Sequence, residues 1–226
     1  MRHFCLNLGF PLTDRQLGQF EAFKKDLYFI NQTMNLTRVA VEDCEVRHFI
    51  DSLLFVDLIP DGAKVLDIGT GPGFPAWPLA CARPDLEVHA VDSSGKMLNF
   101  LRRHPLKNLV VIEGRAEESG FREEFDVVTG RALTPLAAQL ELSAQAAIIG
   151  GAVIPMRTSK DLDAIRAFPA DELGLELEDI QSRILPGEEV ERAFPIFRKK
   201  AETHPKYPRT WGEIKKKPIA VISNLP

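Results

Sequence analysis

A glycine-rich segment between a predicted strand and a predicted helix carries the sharpest chemical signal in this sequence. The segment is Asp67-Ile68-Gly69-Thr70-Gly71-Pro72-Gly73-Phe74-Pro75. A glycine-rich turn in that setting lets the backbone approach a ligand closely. Asp92 ends the next predicted strand, about twenty residues on, where a carboxylate accepts hydrogen bonds from both hydroxyls of a ribose. Loop and carboxylate together predict a nucleoside-binding site.

The details of the loop narrow the class of nucleoside cofactor. A dinucleotide-binding loop needs glycine at its sixth position, and that position here is Phe74. A phosphate-binding P-loop is excluded, because no Gly-Lys-Ser/Thr follows. The Gly-x-Gly-x-Gly pattern after an Asp-bearing strand resembles instead the loop of Rossmann-like S-adenosylmethionine methyltransferases. A turn that serves only helix packing is the alternative, and Asp67 either orients the loop or contacts the amino acid end of the cofactor.

From residue 61 onward, strand and helix patterns alternate, and these elements must position the loop. The predicted strands are Lys64–Ile68, Glu87–Asp92, Leu109–Glu113, Phe125–Thr129 and Ala147–Pro155. The predicted helices between them are Pro75–Ala82, Gly95–Arg103 and Pro135–Gln145. This alternation predicts parallel pairing through right-handed crossovers, and therefore an α/β sheet covered on both faces.

The segment before residue 61 has a helical pattern and no strand signal. Apolar residues follow three- and four-residue spacing there: Leu17, Phe20, Phe23 and Leu27, then Phe49, Leu53 and Val56. We therefore predict an N-terminal helical extension over residues 1–60, followed by one α/β domain over residues 61–226.

The C-terminal third predicts a hairpin and a basic segment. Leu175–Leu185 and Val190–Lys199 are predicted strands around Pro186-Gly187, so that one edge of the sheet becomes antiparallel. The segment Arg198–Lys217 contains eight Lys and Arg residues and two acidic ones, although the net charge of the chain is −4. Such a segment either contacts the phosphates of a nucleic acid or is a solvated, lysine-rich surface.

Composition excludes several classes of protein. The 226 residues are 45% hydrophobic and 27% charged, which favours a folded chain over a disordered one. The longest apolar stretch, Ala146–Met156, is shorter than the roughly 20 residues of a membrane-spanning helix, and Met1–Phe10 lacks the apolar core of a secretory signal. The three cysteines are too far apart for a zinc site or a redox pair. We therefore expect a cytoplasmic protein without membrane contact and without a bound metal.

Several short motifs occur in a fixed order along the chain. They are Asn35-Leu36-Thr37, Arg47-His48-Phe49-Ile50-Asp51-Ser52-Leu53, the glycine-rich loop, Asp92-Ser93 with Gly95-Lys96 and Phe100-Leu101, Gly114-Arg115-Ala116-Glu117-Glu118, Gly130-Arg131-Ala132, Tyr207-Pro208-Arg209 and Lys217-Pro218. In this order they resemble the RsmG (GidB) family, bacterial methyltransferases that modify nitrogen 7 of a guanine in small-subunit ribosomal RNA. The resemblance implies a Rossmann-like methyltransferase fold, S-adenosyl-L-methionine as cofactor, and 16S ribosomal RNA or the small ribosomal subunit as partner.

The resemblance also implies roles for individual residues. Together with the loop and the ribose carboxylate, the predicted cofactor-binding residues are Gly69, Gly71, Gly73, Phe74, Asp92, Ala116, Glu117 and Arg131. Gly69 and Phe74 are expected to line the cofactor cleft. The resemblance places Ala116 and Glu117 by the adenine, and Arg131 near the transferred methyl group as the catalytic residue. A salt-bridge role at a strand end is the alternative for Arg131.

A further set of residues is predicted to bind the RNA substrate: Arg47, His48, Asp51, Lys96 and Arg209. On a helix the first three share one face, as a lid over RNA or cofactor or as an ion-paired surface. Two departures from the family lie near this set. Its Lys-Arg after Asp-Ser is Lys96-Met97 here, and its Lys-Gly after the fifth strand is Met156-Arg157-Thr158. We expect these changes to remove positive charge or flexibility where RNA approaches, and so to alter substrate affinity or target choice.

The expected reaction needs little chemical machinery. Guanine nitrogen 7 carries an in-plane lone pair that is unprotonated at neutral pH, so positioning supplies most of the acceleration and no base is required. Amine methyltransferases typically place Asp/Asn-Pro-Pro-aromatic after the fourth strand, where this chain has Thr129-Gly130-Arg131-Ala132. Carbon-5 methylation of a pyrimidine needs a cysteine nucleophile, and no cysteine follows a catalytic strand.

Together, the loop and the family resemblance predict a methyltransferase that acts on a guanine of 16S ribosomal RNA, and we expect it to be a monomer. Two other interpretations stay open at this point. The chain could methylate another RNA or a small molecule, or it could be a non-catalytic ribosome-assembly factor that retains a cofactor site.

Overall fold

A seven-stranded sheet forms the centre of the computed structural model, which describes residues 1–7, 9–131 and 133–219. The strands are β1 (Lys64–Ile68), β2 (Glu87–Asp92), β3 (Leu109–Glu113), β4 (Phe125–Arg131), β5 (Ala147–Thr158), β6 (Leu175–Arg183) and β7 (Arg192–Lys199). Their order is β3-β2-β1-β4-β5-β7-β6. Strands β1 to β5 pair in parallel, and β7 pairs antiparallel with both β5 and β6. The predicted mostly parallel sheet with an antiparallel C-terminal hairpin is confirmed.

Helices flank the sheet, and those that follow β1, β2 and β4 lie at the predicted places. They are α1 (Arg2–Asn7), α2 (Asp14–Met34), α3 (Asp51–Leu53), α4 (Ala76–Ala82), α5 (Gly95–Leu101), α6 (Leu136–Ala144), α7 (Leu162–Arg166) and α8 (Trp211–Lys216). Helix α2 begins with a capping box between Thr13 and Gln16. The predicted helical spacing around Phe49 corresponds to a π-helical turn (Glu45–Ile50) that leads into the short α3. Among the described residues before 61 there is no strand.

Alternate strand residues face two apolar clusters, as expected for a sheet covered on both faces. On one side, Val65 packs in a cluster that includes Phe23 of α2. On the other side, Leu66 packs in a cluster that includes Leu140 of α6. The N-terminal helices therefore share a core with the sheet, and the division of the chain at residue 60 remains a prediction.

Strands β4 and β5 extend beyond their predicted ends. The last residues of β5 are held by the hairpin, since Arg157 lies opposite Ala193 of β7. At the end of β4, Arg131 lies opposite Met156, two residues beyond the last pairing of β4 with β1. As a result, Arg131 and Arg157 lie beyond the carboxyl end of β1, beside a cavity.

Some predicted features lie outside the described residues, namely Ala132 of the Gly130-Arg131-Ala132 motif and the end of the predicted domain at 220–226. Within the described ranges, no helix combines the length and the apolar character that crossing a lipid bilayer requires.

Candidate functional site

Two cavities open at the carboxyl ends of the parallel strands, next to the end of β4, where ligands bind in open α/β sheets. The first, here called the glycine-loop cleft, has a volume of about 310 Å³. The second, here called the arginine pocket, has a volume of about 520 Å³. The predicted cofactor residues that line the glycine-loop cleft are Gly69, Asp92, Ala116 and Glu117. The predicted residues that line the arginine pocket are Arg47, His48, Asp51 and Arg131.

Of the three glycines of the loop, two lie against a neighbouring side chain and one faces open space. A Cβ on Gly69 (φ +72°) would overlap the Leu133 side chain, and a Cβ on Gly73 would lie 2.7 Å from Leu101 Cδ1. Around Gly71 (φ +57°) nothing lies within 4 Å of the place a Cβ would take. The backbone is thus open to a ligand at Gly71, whereas Gly73 is required by packing against α5.

Asp92 is held in place at the mouth of the glycine-loop cleft by two backbone groups. Its Oδ2 accepts a hydrogen bond from Gly71 N at 2.8 Å, and its Oδ1 accepts one from Ser94 N at 2.8 Å. Each carboxylate oxygen can accept a second hydrogen bond. The carboxylate is therefore both fixed by the loop and able to bind a further donor.

Asp67 lies beneath the loop and is fully buried. Its Oδ2 accepts a hydrogen bond from Ala76 N at 3.1 Å, at the start of α4. Burial raises the pKa of Asp67 to about 7. In the described part of the chain, Asp67 Oδ1 and Thr70 Oγ1 have no hydrogen-bond partner. Of the two roles considered for Asp67, this placement favours orienting the loop.

The Arg131 side chain is held by hydrogen bonds to the segment that precedes the sheet. Its Nη1 donates to Asp51 Oδ2 at 3.0 Å and to the Arg47 carbonyl oxygen at 2.9 Å. Its Nη2 lies 3.1 Å from His48 Nδ1, and its guanidinium lies over the Phe74 ring at 5.1 Å. The structure thus gathers Arg131 with the predicted substrate-binding residues, and Arg131 lines the arginine pocket instead of the glycine-loop cleft.

His48 is a neutral link in this arrangement. Burial, with the adjacent Arg131 charge, lowers the pKa of His48 to about 3. At neutral pH the imidazole therefore accepts from Arg131 at Nδ1 and donates to Thr37 Oγ1 from Nε2, at 2.7 Å. The ring also stacks on Phe74 with centroids 4.2 Å apart. The Phe74 ring is buried beneath His48 and does not line the glycine-loop cleft, so a contact of Phe74 with the cofactor stays a prediction.

Two arginines of the arginine pocket were missed by sequence reasoning as site residues. Arg192 Nε donates to Asp51 Oδ1 at 2.7 Å, so one carboxylate holds two guanidinium groups. Arg157 Nη2 donates to the Thr134 carbonyl oxygen at 2.8 Å, and its buried Nε lacks a partner among the described residues. The expectation that Met156-Arg157-Thr158 removes positive charge was wrong, since Arg157 places a guanidinium in the pocket wall.

The remaining predicted substrate residues lie outside the arginine pocket. Lys96 is exposed in the first turn of α5 and lines neither cavity. Arg209 Nε and Nη2 pair with the two oxygens of Glu141, at 2.8 and 2.6 Å, and Glu141 is fully buried. Hydrogen bonding to Glu141 raises the pKa of Arg209 further above its usual range. In this geometry the guanidinium anchors the C-terminal segment to α6, and its contact with RNA stays a prediction.

Several cations of the basic segment Arg198–Lys217 are engaged within the fold. Lys199 is buried, donates to the Ala144 carbonyl oxygen at 2.9 Å, and has its pKa lowered to about 8 by burial. Arg198 pairs with Glu178 at 2.6 Å, and Lys200 with Glu176 at 3.5 Å. The exposed cations that remain at its end are Lys215, Lys216 and Lys217. Lys206 is exposed as well, and the contact of these lysines with phosphates stays a prediction.

In residues 1–7, 9–131 and 133–219, no group of three or more His, Cys, Asp or Glu side chains is arranged to hold a metal ion. Trp211 and Leu133 line the glycine-loop cleft and were not predicted. Nothing in the sequence near Trp211 pointed to the cleft, because the contact brings the C-terminal segment to loops more than 70 residues earlier.

Comparison with known proteins finds relatives over most of the chain. Residues 16–189 match the family model described as rRNA small subunit methyltransferase G (GidB). A Lachnoclostridium phytofermentans protein named ribosomal RNA small subunit methyltransferase G is 38% identical over 94% of this chain and 93% of that protein. A protein of the same name from Lactobacillus delbrueckii subsp. bulgaricus is 35% identical over 93% of this chain and 95% of that protein.

Solved structures support the fold. The crystal structure of M. jannaschii TYW2 in complex with AdoMet superposes with a TM-score of 0.55 at 16% identity, over 66% of this chain and 75% of that one. This likeness concerns the arrangement of strands and helices. The match to the family model and the identity to full-length relatives carry the assignment further: the chain belongs to the rRNA small subunit methyltransferase G (GidB) family.

Proposed function

We propose that the chain transfers the methyl group of S-adenosyl-L-methionine to nitrogen 7 of a guanine in 16S ribosomal RNA. Membership of the rRNA small subunit methyltransferase G family supports the reaction class and the RNA. The observation that carries the proposal is the placement of the arginine pocket beside the glycine-loop cleft, with Arg131 at the end of the strand between them.

The residues of the glycine-loop cleft fit S-adenosylmethionine. The open backbone at Gly71 allows close approach, and the fixed Asp92 carboxylate can accept hydrogen bonds from ribose hydroxyls. Leu133, Leu142 and Trp211 supply apolar surface for a flat base. When bound, the cofactor supplies an electrophilic methyl group on a sulfonium. The residues that we propose to hold it are Gly69, Gly71, Asp92, Ala116 and Glu117.

The end of β4 suits a ring nitrogen better than an amine. The Thr129 hydroxyl donates to the Ile154 carbonyl oxygen at 2.7 Å inside the sheet, so it does not face an acceptor. A Cβ on Gly130 would lie 2.7 Å from the Ile68 carbonyl oxygen, which leaves no room for an amine-holding side chain there. Guanine nitrogen 7 already offers a free lone pair and needs only to be held in line.

Cysteine chemistry is not supported by these surroundings. Cys5, Cys44 and Cys81 are buried and line neither cavity. Burial raises the pKa values of the Cys5 and Cys44 thiols to about 11 and that of the Cys81 thiol to about 12. The thiolate that attacks a pyrimidine ring would be rare at neutral pH.

In the arginine pocket, we assign the guanidinium groups to RNA binding and orientation. Arg47 suits phosphate or the base oxygen, because its side chain is half-exposed at the pocket, where it also pairs with Glu188. Arg157 lines the same pocket and adds positive charge to its wall, although its Nε is buried. The carboxylates of Asp51, Asp161 and Glu188 also line this pocket, and they offset the cations beside a base that gains positive charge. Arg131 orients the acceptor from its fixed position.

Several finer points belong to the same proposal. The protein is proposed to act as a monomer in the cytoplasm, without a metal ion, and residues 1–60 to form an extension that completes the arginine pocket. Sedimentation of the purified protein tests the oligomeric state, and metal analysis of active preparations tests whether a metal ion is present.

The test of the function is the chemistry of the product. Small ribosomal subunits that lack the modification are incubated with enzyme and methyl-labelled cofactor, then reduced with borohydride, cleaved with aniline and sequenced at the new ends. A guanine-specific break at the labelled nucleotide is expected, and folded Arg131→Ala should give little. Label without such a break would refute nitrogen 7, label only in other RNA would favour another substrate, and no label would favour a non-catalytic assembly factor.

A further inference from the structure

The C-terminal helix α8 supplies part of the wall of the glycine-loop cleft. Ile214 of α8 is 1% exposed and packs with Ala138 and Leu142 of α6. Leu133 and Trp211 pack against the same small apolar cluster. Because Leu133, Leu142 and Trp211 also line the cleft, this cluster is continuous with the surface that a bound ligand would contact.

The position of Trp211 is set by its neighbours in the chain. Two residues earlier, Arg209 is tied to the buried Glu141 by backbone N–H and guanidinium, with distances of 2.6 to 2.9 Å. Thr210 caps α8 in a capping box with Glu213. The Lys217 carbonyl oxygen accepts from Arg209 Nη1 at 2.8 Å and closes the segment on itself. The Arg209–Glu141 ion pair and the capping box thus fix the place at which Trp211 meets the cleft.

Trp211 is only partly buried although its neighbours are apolar. The indole lines the same cavity as Ala116 and Glu117, which follow β3. A flat nucleobase in that cavity would cover the ring surface that the protein leaves open, and base–aromatic stacking is a common source of affinity.

We propose that Trp211 is a cofactor-binding residue, whose indole packs on the base of S-adenosylmethionine and so docks helix α8 when the cofactor binds. The inference rests on the proposed function, since it takes the glycine-loop cleft as the cofactor site. The proposed contact comes from the C-terminal segment, outside the glycine-rich loop.

Tryptophan fluorescence can report on the proposed contact, because Trp211 is one of two tryptophans in the chain. Trp77 is 1% exposed in the core, so a Trp77→Phe variant leaves Trp211 as the single emitting tryptophan. Titration with S-adenosylhomocysteine should change the emission of this variant. The change should saturate, and its fitted Kd should equal the Kd measured by calorimetry. If Trp77→Phe does not fold, the same signal is obtained as the difference between wild type and Trp211→Phe.

Affinity gives a second readout with matched variants. Trp211→Ala should weaken binding of S-adenosylhomocysteine about tenfold, and Trp211→Phe, which keeps a flat ring, should stay within about threefold of wild type. Phe29→Ala removes an aromatic ring that is 71% exposed on α2 and should leave the affinity unchanged. Amide hydrogen exchange in α8 should slow on binding in wild type and not in Trp211→Ala.

The outcomes separate the inference from the function on which it rests. No heat of binding with wild type would refute the cofactor site itself. Heat of binding without an emission change, or wild-type affinity in Trp211→Ala, would overturn the role of Trp211 and leave the proposed function standing.

Discussion

Asp51 Oδ2 accepts a hydrogen bond from Arg131 Nη1 at 3.0 Å and joins the helical segment before the sheet to the end of β4. Asp51 is 5% exposed, so the pair is largely shielded from water. The second oxygen of the same carboxylate holds Arg192 of the hairpin. The direction of the Arg131 guanidinium is therefore fixed by groups from two other parts of the chain.

We expect Asp51→Asn to damage both stability and turnover. The variant leaves two poorly solvated guanidinium groups without their common counter-charge, and breaking such a pair costs roughly 3 kcal/mol. Asp57→Asn is the matched control, because Asp57 pairs with Arg183 at 2.7 Å in a more exposed setting, where about 1 kcal/mol or less is expected. Urea denaturation measures the difference, and equal losses in the two variants would contradict the role given to Asp51.

Gly71→Val should abolish cofactor binding without unfolding the sheet. Its left-handed backbone (φ +57°) costs a branched residue roughly 1–2 kcal/mol, and the added side chain would occupy the open space beside the loop, where we propose that the cofactor approaches. Gly62→Val carries a similar backbone cost at φ +69°, at the opposite end of β1. Calorimetry with S-adenosylhomocysteine should show binding to the Gly62 variant alone. Wild-type affinity in folded Gly71→Val would remove the loop from the site.

The low pKa of His48 predicts a specific pH dependence of stability. The folded protein keeps this imidazole neutral down to about pH 3, whereas an unfolded histidine binds a proton below about pH 6.5. The contribution is thus fully present above pH 6.5 and is lost as the pH falls towards 3. In that window His48→Gln should flatten the pH dependence of the unfolding free energy by up to about 1.4 kcal/mol per pH unit.

Replacement of the exposed His3 by glutamine is the control for the loss of a histidine, and it should keep the wild-type slope. Urea melts at intervals from pH 4 to 7.5 give the comparison. Identical slopes for wild type and His48→Gln would mean that the imidazole is not held neutral against Arg131.

We expect the exposed lysines at the end of α8 to increase RNA affinity by contacting phosphates of the RNA backbone. Changing Lys216 and Lys217 to glutamine should lower the magnitude of the slope of log K against log salt by about 1.5, since each phosphate contact contributes roughly 0.7 to 0.9. Lys25 and Lys107 are exposed elsewhere, and their double replacement should leave the slope unchanged. Filter binding of a small-subunit RNA fragment measures both, and an unchanged slope in the first variant would make these lysines a solubility surface.

The elements of the sheet could be predicted closely because their sequence signals are local. Lys64–Ile68, Glu87–Asp92 and Leu109–Glu113 lie at their predicted bounds, since strands between turns and covered by helices are short apolar runs. The ends of β4 and β5 were placed too early, because pairing with the hairpin extends β5 and no local residue encodes that pairing.

The site was predictable only in part. Gly69 and Asp92 meet in one cleft because the ends of adjacent parallel strands coincide, as the spacing indicated. The salt bridge of Arg131 was foreseen only as an alternative, and its partner lies 80 residues away. Arg209 was assigned to RNA because its charge was visible in the sequence, whereas the burial of Glu141, 68 residues earlier, was not.

The arginine pocket also bears on the order in which the protein can mature during synthesis. Asp51 and Arg192, which close one wall of this pocket, are separated by 141 residues. Contacts of such large sequence separation form late, because the loop between them must close first. A nascent chain that has not yet released its hairpin can contain β1 and β2 with the glycine-rich loop, but it lacks Arg192 and α8. The complete arginine pocket is thus acquired last, and its formation requires that the hairpin has joined the sheet.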